Sequence, residues 1–190
     1  MMSWITVSLL ICFTSQALGG DYAFLVNSGC DFGELILTQT SAQNVTVTKK
    51  NCDTLFRKTD WQHSPNVVFP NAKDNKKYMI LMLDPDAPNH PEGVFYFHWA
   101  VANIPGKNLK SGGDVSKGTT LLSYAGPTPP KGSGQHRYVF LVYEQDTQQG
   151  IMEKPEKRAH FDLGRWINPL AKRHPLTGPV AGSQFRVPAE

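Results

Sequence analysis

No segment after residue 20 holds the roughly 20 consecutive apolar residues that a membrane-spanning helix requires. The chain also lacks internal repeats, low-complexity tracts and any linker rich in Pro, Gly and Ser, so residues 21–190 read as a single domain. Basic clusters interleaved with base-stacking aromatics are missing. The formal charge of +3 comes from 19 Lys and Arg scattered against 16 Asp and Glu, which argues against a nucleic-acid partner but suits an anionic ligand or surface. No His-x-x-x-His or related spacing is present to hold a metal ion. No serine or cysteine is marked as an activated nucleophile either: Ser123 and Ser133 read as ordinary loop or strand-end residues. The glycine-containing stretch 126–134 has the wrong order for a phosphate-cradling P-loop and leads into a strand, not a helix. These absences point to a binding protein in preference to an enzyme, with no metal and no cofactor.

Charge is absent from residues 1–20, which hold an apolar run from Trp4 to Phe13 followed by the small residues Ala17, Gly19 and Gly20. The pattern reads as a secretory signal peptide without its usual basic start, an uncleaved anchor being the alternative. The remaining chain is then expected to be secreted, extracellular and without a transmembrane span. Cysteine is scarce: of three, Cys12 lies in this leader, which leaves Cys30 and Cys52 as a pair. In an oxidising compartment they read as a disulfide in preference to two buried thiols. Asn44-Val45-Thr46 is an N-glycosylation acceptor triplet.

What is present reads mainly as β-structure. Strands are expected at 34–38, 45–49, 78–84, 95–104, 120–124 and 137–144, separated by turn-rich segments, which favours an antiparallel or mixed sheet over a doubly wound one. A helix is expected at 159–170, where Phe161, Trp166 and Leu170 recur at near-helical spacing although Pro169 intervenes. A shorter helix is expected near 154–156.

The chemistry gathers around the ends of three strands. The unbroken apolar run 78–83 stops at Asp84-Pro85-Asp86-Ala87-Pro88, where two prolines force the chain out of the ladder and two carboxylates are presented at a sheet end. Strict alternation through 95–101 puts Phe95, Phe97 and Trp99 on one face and Tyr96, His98 and Ala100 on the other. An imidazole in so apolar a strand requires a carboxylate, carbonyl or ligand partner. The same alternation places His136, Tyr138 and Phe140 together, with Arg137 on the opposite face, where an acid, Asp86, is its expected partner. Between these strands the loop 124–134 is stiffened by Pro127, Pro129 and Pro130 and opened by its glycines to a ligand.

Three separated blocks carry a resemblance. Asp84-Pro-Asp-Ala-Pro88, the stretch from His98-Trp99-Ala100 to Pro105-Gly106, and the stretch from Gly126-Pro127-Thr128 through His136-Arg137-Tyr138 to Phe140 are similar, in order and spacing, to the signatures of the phosphatidylethanolamine-binding protein (PEBP) family. Similarity continues to the Pro179-Val-Ala-Gly-Ser-Gln-Phe185 segment and so covers nearly all of 30–187. The resemblance implies a mainly β fold with peripheral helices, a central antiparallel sheet beside a smaller one, and a small surface pocket for a phosphate or phospholipid headgroup. Carried over by position, Asp84, His98, Gly126, Pro130, His136 and Tyr138 would line it. Two departures border that pocket: Asn89-His90 stands where Ser-Arg is usual, and the segment 89–97 is short for the family. His90 is thus a candidate third imidazole at the rim.

Together these features suggest a secreted binder of phosphorylated small molecules or phospholipid headgroups that modulates extracellular signalling. Inhibition of a serine protease, a second activity represented in the family, is the alternative and would make a protease or another extracellular protein the partner.

Overall fold

The computed structural model describes residues 22–41, 45–146 and 149–190, so the expected leader at 1–20 and the expected acceptor Asn44 lie outside the described residues. In chain order the elements are α1 (Tyr22–Asn27), β1 (Gly33–Glu34), β2 (Ile36–Gln39), β3 (Val45–Val47), β4 (Asn66–Val68), β5 (Lys77–Asp84) and β6 (Val94–Pro105). They continue with α2 (Gly106–Ser111), β7 (Thr119–Leu122), β8 (Gln135–Gln145), β9 (Phe161–Asp162), α3 (Leu163–Arg173) and β10 (Leu176–Pro188). The large sheet has the order β1-β10-β8-β5-β6-β7, with β9 paired to the start of β6, and the small sheet has the order β3-β2-β4. The pairings are antiparallel except that of β1 with β10, which is parallel and makes the large sheet mixed.

Strand β5 sits at the centre because both of its faces are apolar. Tyr78, Ile80 and Met82 point into one hydrophobic cluster and Met79, Leu81 and Leu83 into the other, all fully buried. The first cluster is closed by Leu37, Val47 and Val67 of the small sheet, the second by Val26 of α1 and Leu163, Ile167 and Leu170 of α3. Burying each such side chain contributes about 2 kcal/mol, so the two layers hold β5 in one register and fix where Asp84 emerges.

Three expectations are corrected. Met82 pairs with Trp99 and Leu83 with Phe97, so His98 is the extra residue of a β-bulge. The bulge breaks strict alternation: Phe97 packs on Phe161 in the second cluster, whereas Trp99 turns to Tyr124 and Phe140 in the first, and Ala100 falls on the face predicted for Trp99. Residues 154–156 form no helix; Pro155 supplies no amide hydrogen and Lys154 and Glu156 are exposed. The 159–170 helix instead starts at Leu163, where the Asp162 carboxylate accepts the Arg165 N–H at 2.9 Å as a cap, and runs through Pro169 to Arg173. Pro169 is tolerated because the carbonyl it leaves free belongs to the exposed Arg165.

The Cys30–Cys52 disulfide is formed, as the cysteine count implied. The Asp86–Arg137 pair is present as well: Arg137 Nε and Nη2 donate to the two Asp86 carboxylate oxygens at 2.8 and 2.7 Å, and its backbone N–H donates to Oδ2 at 2.8 Å. Partial burial opposes the Asp86 charge, but the guanidinium and backbone bonds outweigh it and hold the carboxyl below its ordinary pKa. A depressed carboxyl stabilises the fold above its unfolded value, near 3.9, and loses that contribution as pH falls through the folded value. Asp86→Asn is therefore expected to cost about 2 kcal/mol in urea unfolding between pH 5 and 7, with the difference from the parent shrinking below about pH 4. A difference independent of pH would show that the amide loses packing and not charge.

Candidate functional site

The ends of β5, β6 and β8 converge at one end of the large sheet around a cavity of about 230 Å³. Its lining includes Asp84, Tyr96, His98, Pro130, His136 and Tyr138, with Thr128 beside them. Five of the six residues expected from sequence therefore meet at one place. Gly126 does not: a Cβ there would lie 2.9 Å from Gln62 Oε1 and 3.0 Å from Gln62 Cα, so its smallness serves the packing of the loop on Gln62. Gln62 holds the same loop through an Nε2 bond to the Pro127 carbonyl at 3.0 Å.

Asp84 is 3% exposed and His136 is wholly buried. The Asp84 Oδ2 accepts from His136 Nδ1 at 2.8 Å, and its Oδ1 accepts the Asp86 N–H at 2.8 Å. Both carboxylate oxygens are thus engaged by the protein, one of them by the His136 ring. Burial by itself disfavours the His136 imidazolium, but the Asp84 hydrogen bond and the charges of Asp84 and Asp86 prevail and hold its pKa above the ordinary histidine value.

His136 Nε2 lies 2.7 Å from Ser133 Oγ, a contact that the sequence did not mark. The carboxylate, imidazole and hydroxyl stand in the order of a hydrolytic relay. Ser133 Oγ is also 2.6 Å from the Pro130 carbonyl, which can only accept, so the hydroxyl proton goes there. Nε2 then donates to Oγ while Nδ1 donates to Asp84, as a doubly protonated ring does. This arrangement presents a cationic donor and not a base awaiting the serine proton. The Ser133 position is set by the turn at 130–133, where Gly132 takes a left-handed φ of 81° and the Ser133 N–H bonds the Pro130 carbonyl at 3.0 Å.

His98 is held differently. Its Nδ1 lies 2.8 Å from the Ala125 carbonyl, and its own carbonyl accepts the Ala125 N–H at 3.0 Å, so the proline-stiffened loop clasps the bulge from both sides. Arg158 fastens the other side, donating to the Phe97 carbonyl at 3.2 Å, the His98 carbonyl at 2.8 Å and the Ser123 carbonyl at 2.7 Å. Burial dominates at His98 and holds its pKa below the ordinary value, against the Ala125 carbonyl and Asp84. The ring is neutral at pH 7, protonated on Nδ1, and leaves Nε2 for the cavity. The His98 ring packs against the Tyr138 ring at 5.1 Å and against the Tyr96 ring at 4.7 Å. The Tyr138 hydroxyl approaches the Thr128 backbone, yet no well-formed hydrogen bond satisfies it among the described residues. Burial and then the Asp84 charge drive its pKa far up, so the phenol keeps its proton as a donor.

His90 lines the rim without being a ligand group. Its Nδ1 lies 3.0 and 2.9 Å from the Ala87 and Pro88 carbonyls, and its Nε2 accepts the His160 N–H at 2.8 Å, so both ring nitrogens are occupied by backbone. Among the described residues no cluster of three or more His, Cys, Asp or Glu side chains is disposed to hold a metal ion.

A family model described as Phosphatidylethanolamine-binding protein matches residues 39–179 of this chain. The chain belongs to the phosphatidylethanolamine-binding protein family. Among curated relatives of this PEBP, a 26 kDa secreted antigen of Toxocara canis is 35% identical over 177 residues, covering 84% of this chain and 63% of the antigen. The chain spans about three fifths of the length of the curated relatives it matches first, 61% and 63%. Two solved structures share the PEBP fold. A carboxypeptidase Y inhibitor in complex with its cognate proteinase has a TM-score of 0.61 and 21% identity, covering 84% of this chain and 85% of the inhibitor. A phosphatidylethanolamine-binding protein of Plasmodium vivax has a TM-score of 0.59 and 21% identity, covering 82% of this chain and 85% of that one.

Proposed function

We propose that this PEBP is an extracellular protein that binds phosphate or the phosphorylated headgroup of a phospholipid in the 230 Å³ cavity, by recognition without turnover. The observation that carries the reading is the buried Asp84–His136 pair opening onto the same cavity as the unsatisfied Tyr138 hydroxyl. On binding, a phosphoryl oxygen takes the place of Ser133 Oγ as acceptor of the His136 Nε2–H, the Nδ1–H staying on Asp84, and it meets a phenol O–H at Tyr138 and, on a protonated phosphate, an acceptor at His98 Nε2. Low local dielectric strengthens each of these bonds. The disulfide and the secreted relative support an extracellular setting.

The test is an NMR titration with inorganic phosphate and phosphoethanolamine that follows the imidazole signals of His98 and His136. Saturable shifts at both rings are expected. Silence at millimolar ligand would overturn the reading and turn attention to inhibition of serine proteases, measured across a panel. The pH dependence is a second check, made with sulfate because its charge is constant over the range used. His136, with a raised pKa, is fully charged below about 6.5 and loses its proton as pH rises through its folded value. Sulfate affinity measured calorimetrically is expected to fall across that rise. A flat profile from pH 6 to 9 would remove the imidazolium from the site.

A further inference from the structure

On the far side of the His90 rim lies a second, larger cleft of about 410 Å³ between the 153–162 segment and α3. Phe161 and Trp166 contribute its apolar surface, and Lys154, Lys157 and Arg165 line it with side-chain cations that no carboxylate engages among the described residues. The acids of this cleft are largely committed elsewhere. Glu153 is paired with Arg173 and His174, both at 3.1 Å, and Asp162 caps α3. Glu156 is the remaining one, so the cleft keeps an excess of positive charge.

His90 lines the anion cavity and His160 lines the cleft, and their rings stack at 4.3 Å with an interplanar angle of 15°. The two imidazoles are therefore the wall between the two spaces. Asn89 and His160 both take left-handed φ values, 60° and 50°, a region that asparagine and histidine enter more readily than other non-glycine residues. The His160 N–H to His90 Nε2 bond closes the stack.

We infer that the His90–His160 stack determines ligand size: it confines the anion cavity to inorganic phosphate and small phosphate esters, and the cationic cleft behind it is a second subsite for phosphate esters bearing a further anionic group. The inference rests on the anion-cavity reading above. His90 contributes its half of the wall from the 89–97 segment and His160 the other half from the 153–162 segment.

The test compares the parent with a His90→Ala/His160→Ala variant. One ring is half-buried at the rim and the other exposed, and neither lies in the core. The probes are inorganic phosphate and the bisphosphate of 1,4-butanediol. Phosphate affinity is expected to stay within about threefold in both proteins, while bisphosphate affinity rises about tenfold or more in the variant, as a new charge-assisted contact provides. Adding Lys157→Glu to the opened variant is expected to abolish the gain and leave phosphate binding unchanged. Unaltered bisphosphate affinity in the opened variant, or a gain that survives Lys157→Glu, would overturn the partition while leaving the anion site standing. Failure of inorganic phosphate to bind the parent would overturn the anion-site reading and this inference with it.

Discussion

Asp84→Asn is expected to lower phosphate affinity by about two- to thirtyfold at pH 7 while the protein still folds. The amide keeps the shape of the carboxylate and an oxygen for the Asp86 N–H, which Asp84 now bonds at 2.8 Å, so the exit from β5 is preserved. What it loses is the charge opposite His136 Nδ1 at 2.8 Å. Burial opposes the imidazolium, and the Asp84 hydrogen bond and charge are what overcome it. Without them the ring is neutral at pH 7 and presents a weaker donor, or a lone pair, to the phosphate. Charge-assisted hydrogen bonds contribute roughly 1.5–3 kcal/mol against about 1 for neutral ones, and each 1.4 kcal/mol is tenfold in affinity. The control is the same NMR titration: the His136 ring should titrate at lower pH in the variant, and its phosphate-induced shift should shrink with the affinity. Retained affinity alongside a lowered His136 pKa would show that the phenol and loop, not the imidazolium, carry the binding.

Much of this site was legible before the structure, for reasons that differ from residue to residue. Asp84 is announced by an apolar run that ends in two prolines, because such a run must be a buried strand and such an exit must present its carboxylates at the sheet end. His136 and Tyr138 can be placed by uninterrupted alternation along β8, whose register is held by β10 through the site, Tyr138 opposite Phe185 and His136 opposite Val187, and by β5 from Val139 onward. His98 was assigned to the right cavity, but Trp99 and Ala100 were put on the wrong faces, because a β-bulge is set by its partners and leaves no local signal when the bulged residue is not glycine. Arg158, sixty residues on, bonds the Phe97 and His98 carbonyls, and no spacing rule could have connected them. Ser133 looked like a loop serine because its partner depends on a turn geometry, and Gly126 looked like a ligand contact because a glycine needed for packing and one needed for a ligand are written with the same letter. Strand β10 escaped the strand-by-strand reading: prolines at 175, 179 and 188 break up its period-two pattern, yet it forms a long ladder with β8. The size-limiting stack was only half visible, since His90 stood out as a departure from the family while His160 acquires its role solely through tertiary contact.

Removing the disulfide with Cys30→Ser/Cys52→Ser is expected to cost about 3 kcal/mol of stability, because the bridge closes a loop between residues 22 positions apart. Against the 5–15 kcal/mol typical of a domain, that is a substantial fraction, and it corresponds to about a 10 °C fall in melting temperature for a chain of this size. The loss should be concentrated at one sheet edge. Strand β1 pairs with β10 through only two residues, Gly33 with Ala181 and Glu34 with Gly182. The segment after Cys52 reaches the same strand through the Asp53 N–H to Gln184 carbonyl bond at 2.9 Å and the Phe56 N–H to Arg186 carbonyl bond at 2.8 Å. The Asp53 carboxylate adds an ion pair to Arg186 at 2.7 Å. The bridge fastens these two short attachments to each other, so that neither peels away alone. None of the cavity-lining residues lies between Cys30 and Cys52. Phosphate affinity at 25 °C should therefore be unchanged in the folded variant, and amide exchange should rise at 30–57 and along β10 before it rises at β5. A parallel loss of affinity would mean that this edge, and not the proline-stiffened loop and Arg158 alone, holds the cavity in its binding geometry.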